Sequence, residues 1–180
     1  MQFTALEIAG AYRIFSAPVE DERGHFARYY HAESFREHGL ELTDAQVSLS
    51  HNQKSHSLRG LHYIPEAIGE AKLVRCTAGR IYDVIVDLRS SSPTYKQYFG
   101  MELSPDSHEA LYIPRGCAHG FFTLVDNSDV MYQFSMPYRP GIERGIRWDD
   151  PAIGIQWPDQ PLYLSDKDRK LPFLANSVAD

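Results

Sequence analysis

The sequence predicts an all-β fold, an antiparallel barrel or jelly roll with a few short peripheral helices. Aromatic and β-branched residues recur in short runs separated by Gly, Pro, Asn and Asp, which is typical of the strands and turns of such folds. The chain of 180 residues contains no linker, repeat or low-complexity segment. We therefore expect one domain over residues 1–180, large enough to bury a core.

The strand pattern is clearest in two stretches. Residues 72–89 (KLVRCTAGRIYDVIVDLR) predict two strands joined at Ala78-Gly79, and residues 109–135 predict further strands with turns at 114–116 and 126–129. Helical periodicity is found only at 31–39 and, more weakly, at 149–153. The C-terminal stretch 164–180 predicts an irregular arm that ends in a frayed tail.

Hairpin pairing in these stretches would bring polar side chains to shared faces, because side chains alternate along a strand. If Val125 pairs with Val130, then Thr123 faces Tyr132 and His119 lies on the same face. The sequence therefore indicates this face as a candidate site.

A second predicted hairpin also brings charged residues together. Pairing Thr77 with Arg80 places Lys72 and Asp83 on one face. Charged side chains seldom point into a barrel unless they are paired or used. The two residues therefore indicate a structural ion pair, part of a functional site, or both.

The segment SLRGLHY at 57–63 carries a cation, a glycine and an imidazole within four positions. Arg59 and His62 would lie on opposite faces of a regular strand, since they are three residues apart. A bulge or bend at Gly60 would turn both inward. The alternative is a surface arginine next to a half-buried histidine whose hydrogen bonds are satisfied.

Composition excludes several classes of protein. The net charge is −6 with no basic run, which argues against nucleic-acid binding but allows a small anionic ligand. The apolar runs are short and carry carboxylates, and the N-terminus lacks the pattern of a secretion signal, so no membrane association is expected. Cys76 and Cys117 are too few for a disulfide framework, which favours reduced thiols and a cytoplasmic location.

Several motifs occur in a fixed order: DERGHF, RGLHY, AKLVRC, YDVIVDLR, SPTY, LYIPRGCAHGF, RWDDPAIGIQWP and LSDKD. With them the chain resembles the dTDP-4-dehydrorhamnose 3,5-epimerase family of the cupin superfamily, from residue 21 to residue 168. The resemblance implies a cupin-type jelly-roll barrel, a homodimer, and a nucleotide-sugar substrate. It also implies inversion at C3, C5 or both of a nucleotide-linked 4-keto-6-deoxyhexose, without a cofactor or metal.

The resemblance also implies roles for individual residues. His62 matches the family's proton acceptor, Tyr132 its proton donor, and Asp168 the carboxylate that orients the histidine. Further residues are expected to bind the substrate, around the sugar and its ketone or near the nucleotide diphosphate: Arg59, Lys72, His119, Arg23, Glu143, Lys167, Tyr138 and Asp83.

Elementary chemistry agrees with these roles. A proton beside a ketone is weakly acidic, and a neutral imidazole is a suitable base for it near neutral pH. Fixed cations stabilise the enolate charge that then develops on the ketone oxygen. Inversion requires a new proton from the opposite face, for which the Tyr132 phenol is suited.

Taken without the resemblance, the same residues have structural interpretations. Tyr132 would be a strand aromatic with a bonded hydroxyl, His119 a core histidine, and Asp168 a solvated loop charge. Two other functions compete with an epimerase: a metal-dependent cupin enzyme and a non-catalytic module that binds sugar nucleotides. The first needs a His-x-His cluster, whereas LHYIPE contains a single histidine.

Three departures from the family pattern stand out. Arg28 replaces a common glutamate, residues 47–52 read VSLSHN where VQDNHS is usual, and Gln133 replaces a frequent lysine. The first two fall where the family holds the nucleotide base and phosphates, so the motifs leave the nucleotide open while the expected catalytic residues are all present.

Overall fold

The computed structural model describes residues 1–40, 42 and 46–176. Within these ranges most of the regular structure is β-strand, and the helices are short. The strands are β1 (Gln2–Ala5), β2 (Tyr12–Phe15), β3 (Val19–Asp21), β4 (Gly24–Phe26), β5 (Gln46–Asn52), β6 (Leu58–Tyr63), β7 (Lys72–Ala78), β8 (Ile81–Asp87), β9 (Tyr98–Leu103), β10 (Glu109–Ile113), β11 (Cys117–Thr123), β12 (Ser128–Phe134) and β13 (Arg144–Gly145). The α-helices are α1 (Ala32–Glu37) and α2 (Asp166–Arg169), with 3₁₀ turns at Pro105–Ser107 and Leu174–Asn176.

The strands form two main antiparallel sheets. The first has the order β1-β2-β10-β7-β12-β5 and the second β13-β6-β11-β8-β9. Strands β3 and β4 form a separate hairpin. The predicted all-β jelly roll with short peripheral helices is confirmed.

Apolar side chains pack in three layers: one between the two sheets and one on the outer face of each sheet. The inner strands are therefore buried on both faces. Apolar side chains from the two sheets meet in the interior, where Val74, Leu111 and Val130 pack with Ile85 and Phe121. The N-terminal segment and α1 cover the outer face of the first sheet. The segment around Ile153–Trp157 covers the outer face of the second. Both cysteines are buried as free thiols.

Both predicted hairpins are wrong. Strand β7 pairs with β10 and β12, whereas β8 pairs with β9 and β11, so Thr77 does not pair with Arg80. The chain crosses from one sheet to the other at Gly79, which has φ = +73° and lies against Ser128. Most residues of β7 and β8 are buried. Each strand is therefore central in its own sheet rather than one arm of a hairpin.

The same correction applies to β11 and β12, which lie in different sheets. Thr123 pairs with Ile81, while Tyr132 pairs with Ser48 and Val74, so Thr123 does not face Tyr132 across a hairpin. The alternation of side chains predicts which face a residue occupies. It does not identify the strand next to it.

The helix predicted at 31–39 is confirmed as α1, but the one at 149–153 is wrong. That segment forms a turn in which the amides of Ile153 and Gly154 donate to the Asp150 carbonyl. Gly154, at φ = +69°, ends it after one turn. The C-terminal arm contains α2, and the predicted frayed tail at 177–180 lies outside the described residues. No helix of the described part of the chain has the length and apolar character needed to cross a membrane.

Asp87 fixes the loop that follows β8, so Asp87→Asn is expected to destabilise the fold by about 2 kcal/mol at neutral pH. Burial opposes ionisation, but hydrogen bonds from Arg89, Ser92 and Thr94 outweigh it and lower the pKa of Asp87 to about 2. The contribution is therefore complete above the unfolded-state value of about 4 and is lost as the pH falls toward 2. Urea unfolding at several pH values measures it, with Asp106→Asn as an exposed control. An equal effect of Asp87→Asn at pH 7 and near pH 2 would contradict this assignment.

Candidate active site

A cavity of about 830 Å³ lies between the two sheets and the C-terminal arm. Its walls come from β6 and β11 of one sheet, from β5, β7 and β12 of the other, and from residues 162–169. The sequence-predicted residues that line it are Arg59, His62, Lys72, His119, Tyr132, Glu143, Lys167 and Asp168.

The bend expected at Gly60 is present. His62 pairs with His119, and Arg59 pairs with Phe121. The two paired residues are three positions apart on β6 but only two apart on β11, which is a β-bulge. Gly60 has φ = +119°, and a Cβ there would lie 2.8 Å from the Gly120 Cα atom. The bulge allows both Arg59 and His62 to line the same cavity, which a regular strand would not.

The imidazole of His62 is held by Asp168, whose side chain is 5% exposed. Nε2 of His62 lies 2.7 Å from Oδ1 of Asp168, and the Gly60 amide donates to the other carboxylate oxygen at 3.4 Å. Ser165 caps α2 by accepting from the Asp168 amide at 3.0 Å. Asp168 is therefore a buried partner of His62 rather than a solvated loop charge.

The charge state of this pair follows from its contacts. Burial acts to raise the pKa of Asp168, but the hydrogen bond and charge of His62 and the Gly60 amide outweigh it, and the pKa is lowered. An ionised Asp168 accepts the Nε2–H of His62, which leaves the lone pair of Nδ1 able to take a proton. The dyad is arranged to act as a general base.

Asp168→Asn is expected to lower kcat by about 10²–10⁴-fold with a smaller change in KM, because an amide neither orients His62 correctly nor stabilises an imidazolium. Steady-state kinetics measure the changes in kcat and KM separately. Asp166→Asn changes the same group at an exposed position of α2 and is the control. A loss shared equally by both variants would show that the helix, and not the dyad, is responsible.

A second histidine–carboxylate pair lies deeper in the interior. The Nε2 atom of His119 lies 3.0 and 2.9 Å from the two carboxylate oxygens of Asp83. Asp83 is fully buried and does not line the cavity. Asp83 pairs with His119 and Lys72 pairs with Glu70, so the predicted ion pair between Lys72 and Asp83 is wrong. Asp83 lies behind the cavity wall rather than at its surface.

Tyr132 lies on the wall opposite His62. It belongs to β12 of the six-stranded sheet, whereas His62 belongs to β6 of the five-stranded sheet. Its ring stacks on Phe134 at 5.5 Å and meets the His119 ring edge-on at 5.7 Å. Burial and the charge of Asp83 raise the pKa of Tyr132, against the opposing effect of Arg59. The phenol therefore carries its proton at any working pH.

Cationic groups accompany these two side chains. The Nζ atom of Lys72 lies 3.4 Å from Oε1 of Glu70, and both side chains are 9% exposed. Burial raises the pKa of Glu70, although the charge of Lys72 opposes the shift. Lys167 makes an ion pair with Glu143 at the rim of the cavity. The site thus holds positive charge both in its interior and at its rim.

Two predicted site residues lie elsewhere on this chain. Arg23 is on the β3–β4 hairpin, where it pairs with Asp21 and its side chain is 84% exposed. Tyr138 is 73% exposed, and its amide donates to the Gln46 side chain at 3.0 Å. Neither residue lines the cavity.

Sequence reasoning missed two residues that contact the site. Glu70 pairs with Lys72, and Asn52 accepts a hydrogen bond from Arg59. The period of two along a strand was the available signal, since it places Glu70 on the face of Lys72 and Asn52 on the inward face of β5. Across the described ranges, no three His, Cys, Asp or Glu side chains are grouped as metal ligands.

Comparisons with known proteins agree with this geometry. The profile of the dTDP-4-dehydrorhamnose 3,5-epimerase family matches residues 5–176. The dTDP-4-dehydrorhamnose 3,5-epimerase of Sinorhizobium fredii is 39% identical over 97% of this chain and 90% of its own length. The dTDP-4-dehydrorhamnose 3-epimerase of Streptomyces niveus is 36% identical over 98% and 86% of the two chains.

A solved structure extends the similarity to three dimensions. The dTDP-6-deoxy-D-glucose-3,5-epimerase of Legionella pneumophila, in complex with dTDP-4-keto-L-rhamnose, superposes with a TM-score of 0.92 at 33% identity. The match covers 98% of this chain and 94% of that one. Sequence, fold and cavity lead to one conclusion: the chain belongs to the dTDP-4-dehydrorhamnose 3,5-epimerase family.

Proposed function

We propose that the protein inverts C3, C5 or both of a dTDP-linked 4-keto-6-deoxyhexose, of the type that leads from dTDP-4-dehydro-6-deoxy-D-glucose to dTDP-4-dehydro-L-rhamnose. The observation that carries the proposal is the placement of His62 and Tyr132 on opposite walls of one cavity. A base and an acid on opposite sides of a ring are what an inversion requires, whereas binding alone requires neither.

The reaction balances without oxidant or reductant. The free ring nitrogen of His62 takes the proton from the carbon beside the C4 ketone, and the C–H electron pair moves into an enolate. Tyr132 then gives its proton to that carbon from the opposite face. A proton returned from solvent to Tyr132, and one lost from His62 to solvent, restore both groups.

Positive charge supports the enolate. Lys72 and His119 line the interior of the cavity, and Arg59 is close enough to act on the pKa of Tyr132. A cation or N–H donor beside the ketone oxygen stabilises the charge that develops there. Lys72 is suited to this role because its side chain is 9% exposed, so water screens it weakly.

The nucleotide part of the substrate is assigned on two grounds. Lys167 and Arg59 offer cationic donors for a diphosphate, with Glu143 holding Lys167 at the rim. The similar Legionella protein is described in complex with a dTDP-sugar. We accordingly assign a dTDP-sugar to this chain as well.

The test is solvent exchange. Incubation of the protein with dTDP-4-keto-6-deoxyglucose in deuterated water is expected to place deuterium at C3, C5 or both, as followed by NMR. Prior treatment with a chelator should leave the rate unchanged, since no step uses a metal. Absence of exchange with a panel of 4-keto nucleotide sugars would overturn the proposal.

Inversion of a single centre is the second candidate. The observation that favours it is the similarity to the Streptomyces niveus 3-epimerase, at 36% identity. The same experiment separates the two, because a single-centre enzyme gives a product inverted at one carbon only. Deuterium at both carbons with inversion at both would exclude the single-centre activity.

We also propose a homodimer in which the β3–β4 hairpin reaches the partner's cavity. All six residues of this hairpin are exposed, and the cross-strand pair Val19 and Phe26 is 72% and 73% exposed. An apolar pair on a projecting hairpin favours burial against another surface. Docking there would carry Arg23 toward a nucleotide.

The mass of the protein in solution tests this dimer. Light scattering should give twice the 20.5 kDa chain mass, and Phe26→Asp should give monomers. A wild-type monomer would contradict the proposal.

A further inference from the structure

We infer that Asn52 is a positioning residue: its side-chain oxygen holds the Arg59 guanidinium in the orientation that faces the substrate and Tyr132. The inference rests on the proposed function. It adds to that function the residue that orients the positive charge of Arg59 in the site. Asn52 ends β5 and is 3% exposed, at the wall of the cavity.

The orientation of the Asn52 amide is determined by its neighbours. Its Nδ2 group donates to the backbone carbonyls of Ser50 and Ser128, both at 3.0 Å. Two carbonyl oxygens can accept only from N–H, so the amide nitrogen must face them. The oxygen Oδ1 therefore points the other way, where it accepts from Nε of Arg59 at 2.7 Å.

This contact decides what the rest of the guanidinium can do. A bonded Nε stops rotation of the planar group, and the remaining contact of Arg59 is a 3.5 Å approach of Nη2 to the His51 carbonyl. In the described part of the chain, Arg59 makes no ion pair with a carboxylate. Its charge is thus held in place by a neutral partner, which leaves it undiminished for an anionic substrate.

The fixed charge also reaches the proposed acid. Arg59 lowers the pKa of Tyr132, against the larger raising effects of burial and Asp83. A guanidinium free to swing toward solvent would lose that influence. Asn52 therefore acts on both substrate binding and the Tyr132 proton, although it lies behind Arg59.

The position of Asn52 in the sheet supports this role. The register of β5 with β12 places Asn52 opposite Ser128. Its amide donors are therefore used within the sheet, while its oxygen is available to Arg59.

The test compares Asn52→Ala, Asn52→Asp and Ser128→Ala. Asn52→Ala should raise KM about tenfold or more, in line with the loss of a hydrogen bond to a charged group. Asn52→Asp keeps an oxygen for Arg59 but loses both donors to β5 and β12. Its carboxylate would also pair with the Arg59 charge, so Asn52→Asp should unfold at a lower temperature than the wild type and raise KM as well.

Ser128→Ala is the matched control, because it removes a buried polar group directly across from Asn52 and outside the cavity lining. It should lower thermal stability and leave KM unchanged. If Ser128→Ala raises KM as much as Asn52→Ala does, then Asn52 has a structural role only and the inference is wrong.

A double-mutant cycle and a substrate-free readout separate this inference from the proposed function. In the Arg59→Ala background, Asn52→Ala should add less than a twofold effect on dTDP affinity, measured by calorimetry. The NMR signal of the Arg59 Nε–H should exchange slowly in the wild type and rapidly in Asn52→Ala. Full additivity, or an unchanged signal, would overturn the inference even if the epimerase activity is found. Intact coupling without epimerase activity would refute only the proposed reaction.

Discussion

His62→Ala is expected to lower kcat for exchange and inversion by about 10²–10⁴-fold, the usual contribution of a positioned general base. The expectation follows from the dyad: Asp168 holds one ring nitrogen at 2.7 Å, and the other is the proposed base in the wall of the cavity. Deuterium incorporation measured by NMR in single-turnover reactions reports the proton-abstraction step itself.

Two further variants make this result interpretable. Alanine leaves the buried Asp168 carboxylate without its partner, so part of any loss could come from unfolding. His62→Asn retains an N–H donor but provides no base, and it should be as inactive as His62→Ala while more stable to heat. His31→Ala makes the same change outside the cavity and should be fully active. Substantial exchange by His62→Asn would remove His62 from the mechanism.

Tyr132→Phe is expected to lower the rate of inversion by about 10²–10⁴-fold, as for His62→Ala. Exchange by His62 should continue at one carbon. Phenylalanine preserves the stacking on Phe134 and the edge contact with His119, so the cavity should keep its shape. Only the proton on the opposite wall is removed. His62 can then return deuterium to the face from which it took the proton, which produces labelled but uninverted sugar.

NMR resolves this result, because it reports isotope content and configuration at each carbon separately. Tyr98→Phe is the control: its hydroxyl accepts from the Gln156 amide at 3.1 Å, outside the cavity lining. It should invert the sugar at the wild-type rate. Inverted product from Tyr132→Phe at a normal rate would show that another group supplies the second proton.

Local pattern was sufficient for the strands within residues 72–89 and 109–135, the α1 helix and the bend at Gly60. Runs of β-branched and aromatic residues between turn residues reflect burial on a pleated surface, which depends on sequence neighbours. The bend was predictable because Arg59 and His62 could share a face only if the glycine between them interrupted the strand. Family membership, too, was predicted from the ordered motifs and is confirmed by the profile match over residues 5–176.

Strand neighbours were not predictable in the same way. The sequence correctly placed His119 and Tyr132 at the interior, but through a hairpin that does not form. The two rings meet across the space between two sheets, rather than along one sheet. Backbone hydrogen bonds between strands carry no residue-specific information, so the choice of partner depends on burial summed over the whole chain.

The sequence by itself therefore determined the fold class, the strands within residues 72–89 and 109–135, and the residue types available for proton transfer. The family resemblance implied that Asp168 orients His62, and the tertiary structure gave the contact between them, across 106 positions of the chain. Only the tertiary structure decided that His62 and Tyr132 stand on walls formed by different sheets and that Asn52 holds Arg59. The reason is that local periodicity sets which way a side chain points. What it meets there depends on long-range pairing between segments far apart in the chain.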